Sequence, residues 1–183
     1  MAAALLARRL SSRAVPAEVV SGGFLPGGHP VPPEVRAALA PFGADLSGHR
    51  SHRLTRGDIE GADLILTMTT QHLREAALLV PGALGRTFSL GEAVTRGEAM
   101  GPRPTGTDPF DWVAALSAGR NPRELLGRSP EDVADPFGGP AAGYRATATL
   151  LDGLLGRLTG LLWPAPAPLG SVPVPPVPAG GAP

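Results

Sequence analysis

The sequence predicts an α/β domain in which helices flank a parallel sheet. Two observations predict this fold. Short β-rich runs alternate with helical patterns over residues 1–163. The run Asp63–Met68 is apolar apart from Asp63 and Thr67, which is typical of a strand covered on both faces. Residues 164–183 are almost only Pro, Ala, Gly and Val without apolar periodicity, so we expect a disordered tail there.

Apolar residues at three- and four-residue spacing, with proline and capping signals, predict the helices. They are expected over residues 1–12, after Pro32-Pro33 as far as Gly43, at a Thr55–Asp58 capping box, through Leu73 and Leu78, after Ser89, after Asp108, and over Ala141–Leu162. Strands are predicted over Glu18–Phe24, Asp63–Met68 and Arg86–Leu90.

Composition excludes several classes of protein. Hydrophobic residues make up 43% of the 183 residues, enough for a core, and 16 basic side chains balance 16 acidic ones. This balance gives no electrostatic reason to expect nucleic acid or an anionic membrane as a partner. No apolar run reaches the ~20 residues that span a bilayer, and we expect a cytoplasmic protein. There is no cysteine, so these residues contain no disulfide, thiolate metal site or cysteine nucleophile.

Three groups of segments, in this order, resemble the low-molecular-weight protein tyrosine phosphatase family. The first is Val20–Phe24 with Gly28–Pro32, the second is Asp45–Thr55 leading into Asp63–Met68, and the third is Asp135–Gly139 before a long helix. Their order and spacing over residues 1–163 make the resemblance specific. It implies hydrolysis of a phosphotyrosine protein or a small aryl phosphate, without a cofactor or a metal.

The first helix marks a departure from the family pattern. Met1–Leu6 resembles the helix that follows the family's phosphate loop, in which five residues separate a cysteine from an Arg-Ser pair. The resemblance implies a four-stranded sheet in the order 2-1-3-4, and the loop and central first strand are absent from these residues. We therefore expect the chain as given to be N-terminally truncated and catalytically inactive, and to fold poorly. A late start site and a true loss of the loop both explain the pattern.

The resemblance assigns roles to four residues. Phosphate transfer to a thiolate requires an acid that protonates the leaving group, and Asp135 occupies the Asp-Pro motif that carries it in the family. Asp108 shares the dipeptide but is better explained as a helix N-cap. Ser21 and His49 match residues that support the phosphate loop. Phe137 is expected to line the substrate slot, with core packing as its alternative.

Other interpretations stay open at this point. His49 and His52 form a weak candidate for a metal pair, because no cysteine accompanies them and no helix aligns them. An arsenate reductase of the same fold requires additional cysteines. A non-catalytic relative that binds a partner is the hypothesis of another class. An in-frame cysteine loop encoded upstream of Met1 favours the enzyme.

Overall fold

The computed structural model describes residues 1–44, 46, 48–121, 125, 127 and 129–164. Apart from Pro164, the predicted tail over 164–183 lies outside the described residues. Two strands are described, β1 (Ile65–Thr67) and β2 (Thr87–Ser89). The helices are α1 (Ala2–Ser12), α2 (Pro33–Leu39), α3 (Arg56–Glu60), α4 (Thr70–Leu79), α5 (Leu90–Met100), α6 (Pro109–Leu116) and α7 (Ala141–Leu162), with 3₁₀ turns at Ala40–Phe42 and Pro81–Arg86.

The two strands form a small parallel sheet in which Leu66 lies opposite Phe88. All three residues of β2 are buried, whereas Ile65 and Leu66 of β1 are half-buried. The α/β class with a parallel sheet flanked by helices is therefore confirmed. Among the described residues β1 pairs with one strand, β2. Leu66 packs against the main buried cluster and Ile65 against a second one, and successive residues of a strand point to opposite faces, so β1 is covered on both faces as predicted.

The predicted strand at Glu18–Phe24 is wrong. Within it, Gly23 makes a single parallel bridge to Arg53 and the other residues pair with no strand. Gly22 and Gly23 supply no side chains to pack, which weakens a strand. The described sheet is accordingly smaller than the four-stranded sheet that the resemblance implies.

Helix α7 is the element on which the core is assembled. Helices α1, α2 and α5 pack against it. Leu155 of α7, Leu5 of α1 and Phe88 of β2 belong to one cluster of fully buried side chains. Within the described part of the chain, no helix combines the length and apolarity required to cross a membrane.

The local signals for helix ends are confirmed. The side chain of Thr55 accepts a hydrogen bond from the Asp58 N–H, and the Asp58 side chain accepts one from the Thr55 N–H, which completes the capping box. The Ser89 side chain accepts a hydrogen bond from the Glu92 N–H and caps α5. Gly43 closes the first 3₁₀ turn with φ of 64°, a left-handed conformation that glycine adopts without strain.

Arg120 connects elements that are distant in sequence. Its guanidinium donates to both carboxylate oxygens of Glu92 in α5, to the Leu84 carbonyl at 2.9 Å and to the Thr87 carbonyl at 2.8 Å. It also lies over the Phe88 ring, 4.5 Å from the centroid. The Arg120 side chain is only 6% exposed. A buried guanidinium with this many partners fixes the sheet against the start of α5.

Replacing Arg120 with Met should lower the free energy of unfolding by about 1–3 kcal/mol, since it leaves the Leu84 and Thr87 carbonyls without their donor and the Glu92 carboxylate with Arg96 as its remaining ion-pair partner in the described residues. Arg120→Lys should recover part of the loss, because an ammonium keeps the charge without the planar fork. Arg157→Met is the control, since the Arg157–Glu98 pair is largely exposed and should matter little. Denaturant unfolding measures all three variants, and equal losses at Arg120 and Arg157 would contradict the assignment.

Candidate active site

The loop that carries Asp135 begins at the carboxyl end of β1. The Val133 N–H donates to the carbonyl of Met68, one residue beyond that strand, at 2.8 Å. In α/β proteins with parallel strands, ligands bind in the crevice outside the carboxyl ends of the strands. Asp135, two residues after Val133, therefore lies near the carboxyl ends of the strands, where a ligand is expected to bind.

Local hydrogen bonds shape this loop, defined here as the acid loop over residues 134–139. Asp135 Oδ1 accepts from the Phe137 N–H at 3.0 Å, and the Pro136 carbonyl accepts from the Gly139 N–H at 2.9 Å. Gly138 has φ of 76°, which a side chain would strain. Asp135 is exposed, and no other hydrogen bond to its carboxyl group is formed within the described residues. A solvent-accessible carboxyl group on a defined turn can donate or accept a proton at a bound substrate.

The segment before the acid loop is held by α4 and α5. Asp132 Oδ1 accepts from the backbone N–H of Thr70 at 2.7 Å and from its hydroxyl at 2.8 Å, at the start of α4. The Thr95 hydroxyl of α5 donates to Glu131 at 2.6 Å. Gly91 lies so close that a Cβ there would be 2.5 Å from the Glu131 carbonyl oxygen. The position of the acid loop thus depends on two helices that follow the strands.

Gly91→Ala should lower the free energy of unfolding by about 1–3 kcal/mol, because backbone at Glu131 would have to move. Gly153→Ala is a matched control on the exposed side of α7, where a Cβ meets nothing within 4 Å. There the change should stabilise by about 0.5–1 kcal/mol through helix propensity. Thermal unfolding of both variants checks the pair, and a neutral Gly91→Ala would show that the contact is not constraining.

Ser21 and His49 lie on two segments that run beside each other. The Gly23 N–H donates to the His52 carbonyl at 2.9 Å, and the Leu54 N–H donates to the Gly23 carbonyl at 2.8 Å. Ser21 is half-buried and His49 is exposed. Neither side chain has a hydrogen-bond partner in the described part of the chain, and no described contact joins either one to Asp135. Their role as loop supports stays a prediction.

The remaining candidates are resolved by burial and by partners. Phe137 is 78% exposed, so the alternative of core packing is wrong for it. The Asp108 side chain accepts from the Phe110 N–H at 2.7 Å and caps α6, as predicted. Across the described residues, no group of three or more His, Cys, Asp or Glu side chains could hold a metal ion.

The carboxylate of Asp58 is the most perturbed acid beside this region. The Thr55 hydroxyl at 2.7 Å, the His52 ring at 2.8 Å and the Thr55 backbone N–H at 2.7 Å all reach Asp58 Oδ2. These hydrogen bonds, the Thr55 hydroxyl first, lower the pKa of Asp58 from 3.8 to about 2. His52 is therefore engaged by a helix cap, which argues against its use in a metal pair with His49.

This shift has a defined consequence for stability. Because the pKa of Asp58 is lower in the folded chain, its contribution is present above pH 3.8 and is lost as the pH falls toward about 2. Asp58→Asn should therefore lower the Tm at neutral pH, and the difference from wild type should shrink as the pH approaches 2. Glu60→Gln is the control on the same helix, since its pair with Arg56 is exposed. A difference that does not depend on pH would contradict the interpretation.

The sequence analysis did not find that Tyr144 of α7 contacts the acid loop. It also did not find the contact of Gly91 with Glu131 or the hydrogen bonds of Asp132 with Thr70. Tyr144 and Gly91 look like ordinary helix residues in the sequence. Asp132 offered one signal, a carboxylate three residues before Asp135 in a stretch without apolar periodicity.

Comparison with known proteins gives the family. A family profile described as low molecular weight phosphotyrosine protein phosphatase matches residues 1–114. A protein-arginine-phosphatase from Geobacillus stearothermophilus is 31% identical over 160 residues, which are 86% of this chain and 83% of that protein. The low molecular weight protein-tyrosine-phosphatase Etp of Escherichia coli strain K12 is 27% identical over 88 residues, 48% of this chain and 60% of that protein.

A solved structure supports the same conclusion. The YwlE arginine phosphatase, as a cysteine-to-serine mutant with a phosphorylated active-site serine, superposes with a TM-score of 0.64 at 28% identity, covering 88% of this chain and 85% of that one. The fold is thus that of the small α/β protein phosphatases. The chain belongs to the low molecular weight phosphotyrosine protein phosphatase family. It spans 60% of the length of the Escherichia coli relative that it matches.

Proposed function

We propose that these residues form the body of a protein phosphatase that hydrolyses phosphorylated side chains through a covalent phosphoenzyme, with Asp135 as the general acid. The observation that carries the proposal is the exposed Asp135 carboxyl group on a turn at the carboxyl end of β1. The family match supports the reaction class.

The reaction needs a nucleophile that these residues do not contain. A thiolate attacks phosphorus, the bond from phosphorus to the leaving oxygen breaks, and that oxygen takes the proton of Asp135. The Asp135 carboxylate then takes a proton from the water that attacks the phosphoenzyme, the sulfur–phosphorus bond breaks, and the thiolate and inorganic phosphate are released. The sequence has no cysteine. A relative with a phosphorylated serine in place of its active-site cysteine supports this route.

The start of α1 is the proposed phosphate end of the site. This helix has 11 residues, and no side chain among the described residues caps its N-terminus by a hydrogen bond. Backbone N–H groups at such an end favour a bound anion. Met1 and Ala2 there are half-buried against the core. We propose that a cysteine loop joined to α1 completes the site.

Phosphotyrosine is the substrate that we propose first, because the family description names it. Phosphoarginine is a second candidate. The specific observation in its favour is that the match to an arginine phosphatase covers 83% of that protein, whereas the match to the tyrosine phosphatase covers 60%. Both leaving groups, phenolate and guanidine, require a proton, and Asp135 supplies it in either case.

The other site residues complete the proposal. Phe137, adjacent to the acid and exposed, is proposed to pack against the side chain that bears the phosphate. Ser21 and His49 are proposed to support the cysteine loop by hydrogen bonds. We also propose that the substrate is a phosphoprotein and that the protein is cytoplasmic.

The test adds the strand and phosphate loop of the Geobacillus stearothermophilus relative in front of Met1. We expect turnover of aryl phosphate by this extended chain and none by the 183 residues alone. Asp135→Asn in the extended chain should lower turnover by about 10²–10⁴-fold, the usual share of a general acid. Asp108→Asn is the control and should change turnover little, because Asp108 caps α6.

The outcomes separate the hypotheses. A larger loss from Asp108→Asn would show that the acid is misassigned. An extended chain that folds cooperatively but turns over neither phosphotyrosine nor phosphoarginine peptides would support the non-catalytic relative that binds a partner. The ratio of kcat/KM for the two peptides decides the substrate.

A further inference from the structure

One buried hydroxyl reaches the acid loop from the body of the protein. Tyr144, in the first turns of α7, is 5% exposed and belongs to the main core cluster. Its phenolic oxygen accepts a hydrogen bond from the Gly138 N–H at 3.2 Å. The ring is anchored by packing, so the hydroxyl group presents a fixed acceptor to a loop whose residues are exposed apart from the half-buried Pro136.

We propose that Tyr144 is a positioning residue for the general acid: its hydroxyl group holds the acid loop at a fixed place relative to α7. The inference rests on the proposed role of Asp135. It adds a residue that acts through the loop and does not itself react.

The other hydrogen bonds of the loop cannot do this. The bonds from Phe137 to Asp135 and from Gly139 to Pro136 join residues within the acid loop and preserve only its internal shape. At its upstream end, Val133 is tied to Met68 next to β1. Downstream, the contact from Gly138 to Tyr144 is the hydrogen bond to the body in the described residues. The loop also continues directly into α7 through the N-cap residue Pro140. Loss of the bond to Tyr144 therefore frees the residues between Val133 and Pro140, Asp135 among them, to move while the two ends of the loop stay attached.

Helix α7 links this contact to the proposed phosphate end of the site. Asp152 of α7 receives two hydrogen bonds from Arg9 of α1, at 3.0 and 2.6 Å. Bidentate pairs of this kind fix the relative geometry of two elements, and α1 and α7 also pack along their lengths. The Tyr144 hydroxyl group therefore sets the place of Asp135 relative to the start of α1. A displacement of Asp135 from this place would weaken proton transfer to the leaving group far more than substrate binding.

Tyr144→Phe removes the acceptor and keeps the ring. Amide hydrogen exchange in the extended chain should become faster at Gly138 and its loop neighbours. In the extended, cysteine-containing chain, kcat/KM for phenyl phosphate should fall about 3- to 10-fold, the value of one hydrogen bond of about 1 kcal/mol. For 2,4-dinitrophenyl phosphate, whose leaving group needs no proton, kcat/KM should change little.

A second α7 hydroxyl provides the matched control. Thr159 is buried and its hydroxyl group donates to the Leu155 carbonyl at 2.7 Å, away from the acid loop. Thr159→Val should leave the leaving-group dependence unchanged, whatever it does to stability. In an Asp135→Asn background, Tyr144→Phe should cause no further loss, since both changes act on the same proton transfer.

Each outcome decides one point. If Tyr144→Phe lowers kcat/KM equally for both leaving groups, or leaves Gly138 exchange unchanged, the positioning role is wrong. If Asp135→Asn itself shows no leaving-group dependence, the proposed general acid is wrong, and that result is independent of Tyr144. If Asp135→Asn lowers kcat/KM in a leaving-group-dependent way and Tyr144→Phe does not, Asp135 is the general acid and Tyr144 does not position it.

Discussion

The guanidinium of Arg120 is the contact on which the rest of the fold depends. It joins the residues before β2, the carbonyl of Thr87 in β2 and the carboxylate of Glu92 at the start of α5. A two-stranded sheet with three-residue strands has few ladder hydrogen bonds of its own. The buried ion pair between Arg120 and Glu92 therefore supplies stabilisation that a further strand would otherwise give. It also fixes the direction of α5 relative to the sheet.

The direction of α5 determines the place of the acid. Gly91, in its first turn, packs directly on the backbone of Glu131, and the next residue, Asp132, receives hydrogen bonds from the start of α4. Val133 then bonds to the end of β1, and two residues later the chain reaches Asp135. Each contact spans at least 40 residues of sequence, and together they leave the segment before the acid loop little freedom. The loop is placed by the sheet on one side and by α7 on the other.

This difference between local and distant contacts explains what the sequence could predict. The capping box at Thr55, the caps at Ser89 and Asp108 and the full extent of α7 follow from neighbouring residues, and all were predicted. The segment Glu18–Phe24, predicted as a strand, makes only one bridge to another described segment. Strand formation depends on partners elsewhere in the chain, and Gly22 and Gly23 provide no side chains to pack. The partners of Arg120 lie 28 to 36 residues away in sequence and leave no periodic signal. The contact between Gly138 and Tyr144 spans only six residues, but it depends on the turn of the acid loop, which has no apolar periodicity. The acid loop was found through family resemblance, not through periodicity.

The two halves of the proposed reaction therefore depend on different parts of the chain. The proton-transfer half is placed by residues from Met68 onward, through contacts with β1, α4, α5 and α7. The phosphate half depends on the start of α1 and on a thiolate that the 183 residues do not contain. Helix α7 connects the halves, because it contacts the acid loop through Tyr144 and α1 through Asp152. A rigid connecting helix lets an acid and a nucleophile from distant segments keep the separation that in-line phosphoryl transfer demands.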